Sequence, residues 1–384
     1  MSRLSDSRKT VSTTLDSSAD APMREALALA ERAIGLSEPN PRVGCVIVGA
    51  DGSVVGRGHT QEAGGAHAEV MALQDAAARG ADVRGSTVHV TLEPCSHHGR
   101  TPPCADALVA AGVGRVVIAL RDPNPLVSGG GAARLAAAGI AVEWGPGETE
   151  ARELNIGFVS RMERGRPWLR MKAAISLDGR SALADGSSQW ITGEAARADG
   201  HAWRRRAGAL LTGVGTVLGD DPRLDVRFVR TARQPLRVVV DSRLETPPSA
   251  RIVEPPGLVL VYAAIDDSER RAALEGRGVE IALLPAPTGK VDLAALLADL
   301  GGRGVNELHV EAGEKLNASL LAAGLVDELL VYVAPRLLGP GRGLAALAPI
   351  ATLDDAMAFA YARIDPVGDD LRLLLRPRAA GPSC

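Results

Sequence analysis

The stretches GGAHAEV (residues 64–70) and PCSHHGRTPPC (residues 94–104) decide how this chain folds and which chemistry it can hold. His67, Cys95 and Cys104 offer one imidazole and two thiolates, which are ligands that zinc prefers. Three protein ligands leave the fourth tetrahedral position for water, and the carboxylate of Glu69 follows the histidine by two residues. The pattern therefore predicts a zinc site with an adjacent proton-transfer group.

Helix and strand patterns alternate around these two stretches. Predicted helices cover 22–35, 68–79, 105–111, 131–138 and 150–163, and predicted strands cover 43–48, 53–59, 86–92, 115–120 and 140–143. This alternation predicts a three-layer α/β/α domain, with a hairpin turn at Asp51-Gly52. Residues i and i+2 of a helix point to nearly opposite sides, so His67 is expected at a helix cap and Glu69 in the first turn. Cys95 is expected near a helix start, where the helix dipole favours a thiolate.

A second α/β pattern follows a predicted linker at residues 164–167 (RGRP). Its predicted strands cover 168–177, 208–213, 236–240, 258–262, 279–283, 307–310, 329–334 and 371–375, and its predicted helices cover 193–205, 268–275, 291–300 and 314–323. We therefore expect an N-terminal domain over 21–164 and a C-terminal domain over 165–384. Residues 1–20 are rich in Ser, Thr and Asp, and they predict a disordered leader.

Composition and charge narrow the possible partners. The net charge of −3 and an aromatic content of 3% disfavour nucleic acid, which needs a basic surface and stacking platforms. No apolar run approaches the roughly 20 residues of a membrane helix. The four cysteines are not preceded by a secretory apolar segment, so we expect reduced thiols and a cytoplasmic protein. The expected substrate is a small molecule.

The spacing of the two cysteines distinguishes this chain from other zinc deaminases. Those enzymes carry H-x-E followed by P-C-x-x-C, with the glutamate as proton shuttle. Here eight residues separate Cys95 from Cys104, and the inserted loop contains His97, His98 and Arg100. A structural zinc site remains an alternative, since the same ligand types serve both purposes. The free carboxylate of Glu69 beside only three ligands favours an open catalytic site.

These motifs resemble those of the bifunctional riboflavin-biosynthesis deaminase/reductase family. In the first half the resemblance rests on PCSHHGRTPPC (94–104), NPRVGCVIV (40–48) and DPNP (122–125). In the second half it rests on KAAISLDGR (172–180), SQWITG (188–193), TGVGTVLGDDP (212–222), VDS (240–242) and EAG (311–313). The similarity thus covers nearly the whole chain.

The resemblance implies a cytidine-deaminase-like domain followed by a dihydrofolate-reductase-like α/β domain. It implies zinc-dependent hydrolytic deamination of 2,5-diamino-6-(5-phosphoribosylamino)pyrimidin-4-one to 5-amino-6-(5-phosphoribosylamino)uracil, then NADPH reduction of the ribose to a ribityl chain. His67, Cys95 and Cys104 would hold zinc, and Glu69 would move protons. A homo-oligomer assembled through the reductase domains is also implied.

The resemblance also assigns residues of the second half. Those expected to contact NADPH are Ala174, Trp190, Thr216, Asp220, Ser242 and Gly313. Those expected to contact the substrate are Ser188, Arg204, Leu224, Arg227 and Glu311. The glycines of GVGTVLG (213–219) have the wrong spacing for a dinucleotide fingerprint, so the residues alone do not predict that site. Lys172 and Asp178 are candidates to polarise or protonate the sugar, with a strand-edge ion pair as the alternative.

Three residues of the first half are further candidates for substrate contacts. Asn40 can hydrogen-bond the pyrimidine edge, although a turn residue before Pro41 is an equal interpretation. His97 and Arg100 can hold a sugar phosphate, although either can also be a solvated loop residue. Asp122 and Asn124 have the same ambiguity.

Two alternative functions remain at this stage. One is a zinc deaminase for another free nucleotide or base, fused to a repurposed reductase-like domain. The other is a zinc-stabilised nucleotide-binding module without activity. Glu69, placed beside three metal ligands, is the feature that argues against the second alternative.

Overall fold

Two separate β-sheets divide the protein, one built from residues 44–144 and the other chiefly from residues 168–377. The computed structural model describes residues 20–96, 102–125 and 127–378. The predicted leader lies outside these described residues except for Asp20, whose carboxylate accepts the Met23 N–H at the start of the first helix. Within the described part of the chain, no helix combines the length and apolar character needed to cross a membrane.

The first sheet has five strands in the order β2-β1-β3-β4-β5. Its strands are β1 (Gly44–Val48), β2 (Val54–His59), β3 (Thr87–Val90), β4 (Arg115–Ile118) and β5 (Ala141–Trp144). The helices of this half are α1 (Ala21–Glu31), α2 (Ala68–Ala78), α3 (Cys104–Ala111), α4 (Gly130–Ala137), α5 (Glu148–Leu154) and α6 (Ile156–Arg164). β1 is antiparallel to β2 and β3, whereas β3, β4 and β5 are parallel.

Glycines allow two helices to pack closely on opposite faces of this sheet. A Cβ at Gly44 would lie 1.8 Å from the Ala26 carbonyl of α1, and a Cβ at Gly58 would lie 2.1 Å from the Ala68 carbonyl of α2. Gly58 pairs with Cys45, the neighbour of Gly44, and successive strand residues face opposite sides. The helices therefore cover both faces, and the predicted α/β/α layering is confirmed.

The predicted closing helix over 150–163 is wrong in one respect, because the chain forms two helices that are broken at Asn155. The Asn155 side chain is buried, where its Oδ1 accepts the Arg42 N–H at 2.7 Å and its Nδ2 donates to the Arg42 carbonyl at 2.9 Å. This pair of bonds satisfies the backbone of the segment entering β1. The requirement that Asn155 form these two bonds outweighs the local sequence pattern, which favours a continuous helix.

The second sheet has nine strands in the order β11-β10-β9-β8-β12-β6-β13-β16-β15, and β7 pairs separately with β14. The strands are β6 (Trp168–Ser176), β7 (Arg180–Leu183), β8 (Ala209–Gly213), β9 (Leu236–Val240), β10 (Val259–Ala263), β11 (Val279–Leu283), β12 (Glu307–Val310), β13 (Glu328–Ala334), β14 (Gly341–Gly343), β15 (Phe359–Val367) and β16 (Asp370–Pro377). The helices are α7 (Glu194–Arg206), α8 (Val214–Asp220), α9 (Ser268–Glu275), α10 (Leu293–Gly302) and α11 (Glu314–Ala322).

Most predicted elements of this half are confirmed, and four were missed. Strands β7 and β14 are short, α8 falls in a glycine-rich stretch, and β15 is an outer strand that contains Pro366. The pattern of an outer strand is weak because few of its residues are buried. Strands β6 and β8 to β13 are mutually parallel, while β16 and β15 extend the sheet in antiparallel fashion.

A buried carboxylate joins the two halves of the protein. Glu307, the first residue of β12, accepts Arg42 Nη1 at 2.6 Å, Arg170 Nη1 at 2.7 Å and Arg206 Nε at 2.9 Å. Its side chain is only 1% exposed. Burial alone would raise the pKa of Glu307, but the guanidinium groups of Arg206, Arg42 and Arg170 hold that pKa well below its usual range. Glu307 is therefore an ionised carboxylate whose charge the three arginines compensate.

Polar contacts beside Glu307 extend this junction. The Glu38 carboxylate accepts the Asn306 backbone N–H at 2.8 Å, and Asn306 Nδ2 donates to the Pro39 carbonyl at 3.0 Å. Arg161 Nε of α6 donates to Asn306 Oδ1 at 2.6 Å. A Cβ at Gly157 would lie 2.6 Å from the Asn306 carbonyl, so the two halves are in close backbone contact.

We predict that Glu307→Gln lowers the free energy of unfolding by about 3–5 kcal/mol, because it leaves buried arginines without a charge partner. Chemical denaturation monitored by circular dichroism measures this loss. The matched control is Glu143→Gln, which removes a carboxylate from an exposed ion pair with Arg115 and should change the free energy by less than about 1 kcal/mol.

The pH dependence of the same measurement provides an independent check. The pKa of Glu307 is lower in the folded chain, so its contribution is present above the unfolded pKa of about 4.3 and is lost as the pH falls below it. The difference in the free energy of unfolding between wild type and Glu307→Gln should therefore become smaller below about pH 4. A constant difference from neutral to acid pH would contradict the role given to the charge.

Candidate active sites

The first candidate site lies at one edge of the five-stranded sheet. Gly44 at the start of β1 pairs with His59 at the end of β2, and Cys45 pairs with Val90 at the end of β3. The segments that leave β2 and β3 therefore emerge at the same edge. These segments carry His67 and Cys95, which are separated by 27 residues in sequence.

His67, Cys95 and Cys104 converge at this edge, and their donor atoms all lie within 4.8 Å of one another. His67 Nδ1 is 3.6 Å from Cys95 Sγ and 3.2 Å from Cys104 Sγ. Tetrahedral zinc with ordinary Zn–N and Zn–S bonds would separate such atoms by about 3.6 Å. The donor set thus fits zinc in chemistry and in spacing, as the sequence predicted.

The local backbone explains how these side chains meet. His67 is the N-cap residue of α2 and leaves its side chain free of capping, and Glu69 lies in the first turn, as predicted. Cys104 is the first residue of α3, and its N–H donates to Cys95 Sγ at 3.4 Å. Cys95 is itself in an extended segment, so the helix start expected beside it is the start of α3.

Hydrogen bonding controls the ionisation of the two thiols. Bonds from Cys104, aided by His67 and opposed by burial, lower the pKa of Cys95 to about 4. The Cys95 thiolate and burial in turn raise the pKa of the Cys104 thiol, and the bond to Cys95 raises the pKa of His67. The cluster already holds one thiolate at neutral pH, which prepares it for a cation.

Glu69 is 3% exposed and faces this cluster. Burial, with a smaller effect from the Cys95 thiolate, raises the pKa of the Glu69 carboxyl to about 7. A carboxyl group whose pKa is near neutrality can accept a proton in one step and return it in the next.

Of the other substrate contacts predicted in the first half, the structure describes only some. His97, His98 and Arg100 lie outside the described residues. Asn40 lies in the turn before β1, where its N–H donates to the Ser37 carbonyl at 2.8 Å. This turn leads into β1, whose first residue, Gly44, lies at the sheet edge of the candidate zinc site. Asp122 follows β4 and is buried, and its carboxylate accepts the Asn124 N–H at 2.8 Å.

The second candidate site lies at the carboxyl edge of the parallel strands in the nine-stranded sheet. Thr216 follows β8, Ser242 follows β9, and Gly313 follows β12. In open parallel sheets, ligands bind at this edge. A Cβ built on Gly313 would lie 3.8 Å from Thr216 Oγ1, so these two predicted cofactor contacts are neighbours. Ser242 Oγ accepts the Val291 N–H at 3.2 Å.

A cluster of charges centred on Glu311 lies at the same edge. Glu311 accepts Arg204 Nε at 2.5 Å and Arg204 Nη2 at 2.9 Å, and Lys172 Nζ lies 3.9 Å from its Oε2. Burial opposes ionisation, but Arg204 and Lys172 hold the pKa of Glu311 well below its usual range. Burial lowers the pKa of the Lys172 ammonium. The structure thus brings together two predicted substrate contacts and one of the two proton-donor candidates.

Asp225 extends this cluster to Arg227. Its carboxylate accepts Arg227 Nη1 at 2.6 Å, and its carbonyl accepts Arg204 Nη1 at 2.9 Å. The Arg227 N–H donates to His201 Nδ1 at 3.2 Å. Burial, and then the charges of Arg204 and Arg227, lower the pKa of His201 to about 4, so His201 is a neutral acceptor. Leu224 beside them has a φ of 48°, a conformation rarely adopted by leucine.

Neither His201 nor Asp225 was predicted from the sequence. His201 precedes Arg204 by three residues on α7, so the two share one helix face, and this spacing was the available signal. The structure also distinguishes between the arginines of the run at residues 204–206. Arg204 binds Glu311, whereas Arg206 binds Glu307 at the junction.

The remaining predicted residues of the second half have other surroundings. Asp178 accepts the N–H groups of Leu338 and Gly339 and the Ser176 hydroxyl, and this hydroxyl bond is the main cause that lowers its pKa to about 2. Asp178 therefore stabilises a turn through hydrogen bonds, which differs from the strand-edge ion pair considered as the alternative. Trp190 is 60% exposed, and the Arg197 guanidinium lies 4.8 Å from its ring centroid.

The last three predicted contacts lie in different kinds of structure: Ala174 in a strand, Ser188 in the segment after β7, and Asp220 at a helix end. Ala174 is in β6 opposite Tyr332 of β13, and Asp220 is the last residue of α8. Ser188 directly precedes Gln189 and Trp190 in the segment after β7.

Comparison with known families matches each half of the chain separately. Residues 16–120 match the family described as the cytidine and deoxycytidylate deaminase zinc-binding region. Residues 167–371 match the family described as the RibD C-terminal domain.

Relatives and solved structures match both halves together. The riboflavin biosynthesis protein RibD of Escherichia coli (strain K12) is 47% identical over 366 residues, which cover 92% of this chain and 98% of that protein. The RibD protein of Aquifex aeolicus (strain VF5) is 40% identical over 354 residues, covering 92% and 97%. A structure of Acinetobacter baumannii RibD is 41% identical and superposes with a TM-score of 0.84, covering 93% of this chain and 98% of the other.

One further structural match has a descriptive name. A diaminohydroxyphosphoribosylaminopyrimidine deaminase/5-amino-6-(5-phosphoribosylamino)uracil reductase from Thermotoga maritima is 33% identical and superposes with a TM-score of 0.84. The match covers 93% of this chain and 98% of that structure.

We predict that Cys104→Ser reduces bound zinc to well below one ion per chain, because a serine hydroxyl is a poor replacement for a thiolate ligand. Elemental analysis of the purified protein measures the zinc content. The matched control is Cys45→Ala, which removes a buried thiol within β1 and should retain one zinc ion per chain. Full zinc content in Cys104→Ser would contradict the ligand assignment.

Proposed function

Since this chain belongs to the RibD family of bifunctional riboflavin-biosynthesis enzymes, we propose that its two edge sites catalyse consecutive steps on one pyrimidine ribose phosphate. The protein is a deaminase and a reductase, with zinc and NADPH as the cofactors of its two halves. We assign the substrates from the name of the Thermotoga maritima relative. The first step would deaminate the diaminopyrimidine, and the second would reduce the ribosylamino group to a ribitylamino group.

The alternative of an unrelated zinc deaminase with a repurposed second half is not favoured. Full-length relatives match the two halves together, so the pairing of the two activities is a property of the family. We propose domain limits at residues 21–164 and 165–384. The end of α6 at Arg164 and the start of β6 at Trp168 support this division.

The convergence of His67, Cys95 and Cys104 beside buried Glu69 is the observation that carries the deaminase assignment. The three ligands would hold zinc, and when bound the metal supplies the Lewis acidity that activates a water molecule. Glu69 would take a proton from that water and deliver a proton to the departing amino group, which leaves as ammonia. Burial of Glu69 favours the protonated carboxyl that delivers the second proton.

Three residues would recognise the substrate in the deaminase half. Asn40 lies in the turn that leads into β1 at the zinc edge, and we propose that it contacts the pyrimidine. His97 and Arg100 belong to the loop between the two cysteine ligands, and we propose that they bind the ribose phosphate. Arginine is well suited to that task because its guanidinium binds phosphate in a bidentate manner.

The cluster around Glu311 supports the reductase assignment. We propose that Ser188, Arg204, Leu224, Arg227 and Glu311 contact the substrate, and that Ala174, Trp190, Thr216, Asp220, Ser242 and Gly313 contact NADPH. When bound, the cofactor supplies the hydride. Glu311 would fix Arg204 in place, and Lys172, whose pKa is lowered by burial, is positioned to donate a proton to the sugar.

We further propose a homo-oligomer that assembles through the reductase half. β15 is one of the two outer strands of the nine-stranded sheet, and its Tyr361 and Ile364 side chains are 63% and 54% exposed. An outer strand with exposed apolar side chains is suited to pairing with a second copy.

We also propose that the enzyme works in the cytoplasm. Two of its three proposed zinc ligands, Cys95 and Cys104, are free thiols, which a reducing compartment protects from oxidation. NADPH is available to a reductase in the same compartment.

We predict that Glu69→Gln retains one zinc ion per chain but lowers the deamination rate by at least about 10²-fold, because the amide cannot carry the proton. Ammonia release from the diaminopyrimidine measures the rate. NADPH oxidation with the deaminated intermediate should be unchanged.

Glu62→Gln is the matched control for this prediction. Glu62 is exposed in the turn before His67, so its substitution should leave both activities unchanged. Normal deamination by zinc-loaded Glu69→Gln would refute the role of Glu69 as the proton carrier.

We predict that Arg227→Gln raises the KM of the reductase for its phosphorylated substrate by about tenfold, as expected for the loss of one charge-assisted hydrogen bond. NADPH oxidation at varied substrate concentration measures KM. Arg230→Gln, which removes a nearby exposed arginine, is the control. Equal KM values for Arg227→Gln and wild type would remove Arg227 from the substrate site.

A further inference from the structure

The residue before the Pro94-Cys95 pair, Glu93, has no role in the mechanism described above, yet its carboxylate is among the most buried in the protein. Glu93 is 3% exposed and lies three residues after the end of β3. Its backbone N–H donates to the Leu120 carbonyl at 2.9 Å, so its main chain continues the pairing of β3 with β4. The sheet therefore fixes the backbone position of Glu93.

The carboxylate of Glu93 accepts three backbone N–H groups from the chain beyond β4. Oε2 accepts the N–H of Gly129 at 3.0 Å and that of Asp122 at 3.3 Å, and Oε1 accepts the N–H of Ala132 at 3.1 Å. Gly129 and Ala132 are the N-cap and third residue of α4. One side chain thus binds both the turn at Asp122 and the first turn of α4. Backbone N–H groups at a helix start otherwise lack partners, so this carboxylate is well placed to bind them.

Close packing holds the first turn of α4 against the segment that carries Cys95. A Cβ at Gly131 would lie 1.8 Å from the Pro94 carbonyl oxygen, and a Cβ at Gly130 would lie 2.6 Å from Ser96 Oγ. The backbones of α4 and residues 94–96 are therefore in direct contact. This observation is independent of the hydrogen bonds and places the same two segments together.

We propose that Glu93 is a positioning residue that sets the location of Asp122 and the first turn of α4 relative to the zinc ligand Cys95. Asp122 is buried beside this anchor, and its carboxylate in turn accepts the Asn124 N–H. Because these segments adjoin Cys95, Glu93 would thereby shape the side of the zinc site to which the pyrimidine is proposed to bind, without contacting the substrate or the metal. The inference rests on the proposed deaminase function.

The test is Glu93→Gln in the full-length zinc-loaded protein. Glutamine keeps the size of the side chain but replaces one acceptor oxygen with an NH₂ group that faces backbone donors. We expect one zinc ion per chain, a KM for the diaminopyrimidine raised about tenfold, and a kcat changed by less than about threefold, because a bound substrate still meets an intact zinc site. The reductase activity should equal that of wild type.

Hydrogen exchange measured by NMR or mass spectrometry provides a readout that does not depend on catalysis. The amides of Gly129 and Ala132 should exchange faster in Glu93→Gln than in wild type, because glutamine offers one uncharged acceptor oxygen where the two oxygens of Glu93 served both amides. Glu143→Gln, which removes an exposed carboxylate from the same sheet, is the matched control and should change neither exchange nor KM.

A second variant approaches the same contact from the opposite side. Gly131→Ala introduces a Cβ against the Pro94 carbonyl while Glu93 remains intact, so it should displace the first turn of α4 and raise KM in the same way. An unchanged KM in both variants would overturn the proposal. Loss of zinc together with activity in Glu93→Gln would also overturn it, since Glu93 would then support the metal ligands themselves.

The failure of this inference can be distinguished from a failure of the proposed function. If wild type itself released no ammonia from the diaminopyrimidine, the deaminase assignment would fail. The exchange rates of Gly129 and Ala132 would still decide whether Glu93 anchors them.

Discussion

The ionised carboxylate of Glu307 is the constraint on which the arrangement of this protein depends. A buried charge is tolerated only when it is fully compensated, and here the compensation comes from three arginines on three different segments. Arg42 precedes the first strand of the deaminase half, whereas Arg170 and Arg206 belong to the reductase half. The two halves cannot shift relative to each other without leaving buried charges unpaired.

This junction also positions both active sites. β12 begins at Glu307, and Glu311 follows its last residue at the opposite edge of the sheet. On the other side of the junction, Arg42 lies in the segment from Asn40 to Gly44. This segment leads directly into the sheet edge where the zinc ligands converge. The short strand β12 therefore connects the reductase site to the buried carboxylate of Glu307. A short segment before β1 connects the deaminase site to the same carboxylate.

The two sites differ in their electrostatics, in accordance with their chemistry. The deaminase site keeps a carboxyl group with a raised pKa next to a thiolate and an imidazole, so that protons can move near neutral pH. In the reductase site Glu311 and Arg204 remain firmly charged, and they hold a fixed geometry rather than exchange protons. The group in the reductase site that is best suited to proton transfer is Lys172, because burial lowers the pKa of its ammonium group.

The sequence by itself predicted that His67, Cys95, Cys104 and Glu69 meet in one cluster, and it predicted most of the helices and strands. These features depend on short-range geometry: a histidine at a helix cap, a glutamate in the first turn of the same helix, and cysteines after a strand and at a helix start. Hydrophobic periodicity likewise reports local burial, which is why the strands β1 and β12 were predicted correctly. The weakly buried outer strand β15 and the short pair β7 and β14 left no comparable pattern.

Only the tertiary structure decided which charged residues meet. Arg204 and Arg206 are equivalent in a run of three arginines, yet one binds Glu311 and the other binds Glu307, more than a hundred residues away. The break at Asn155 has the same origin, because Arg42 lies 113 residues earlier in the chain. Such pairings depend on how distant segments pack, and the energy that selects them is the cost of leaving a buried polar group without a partner.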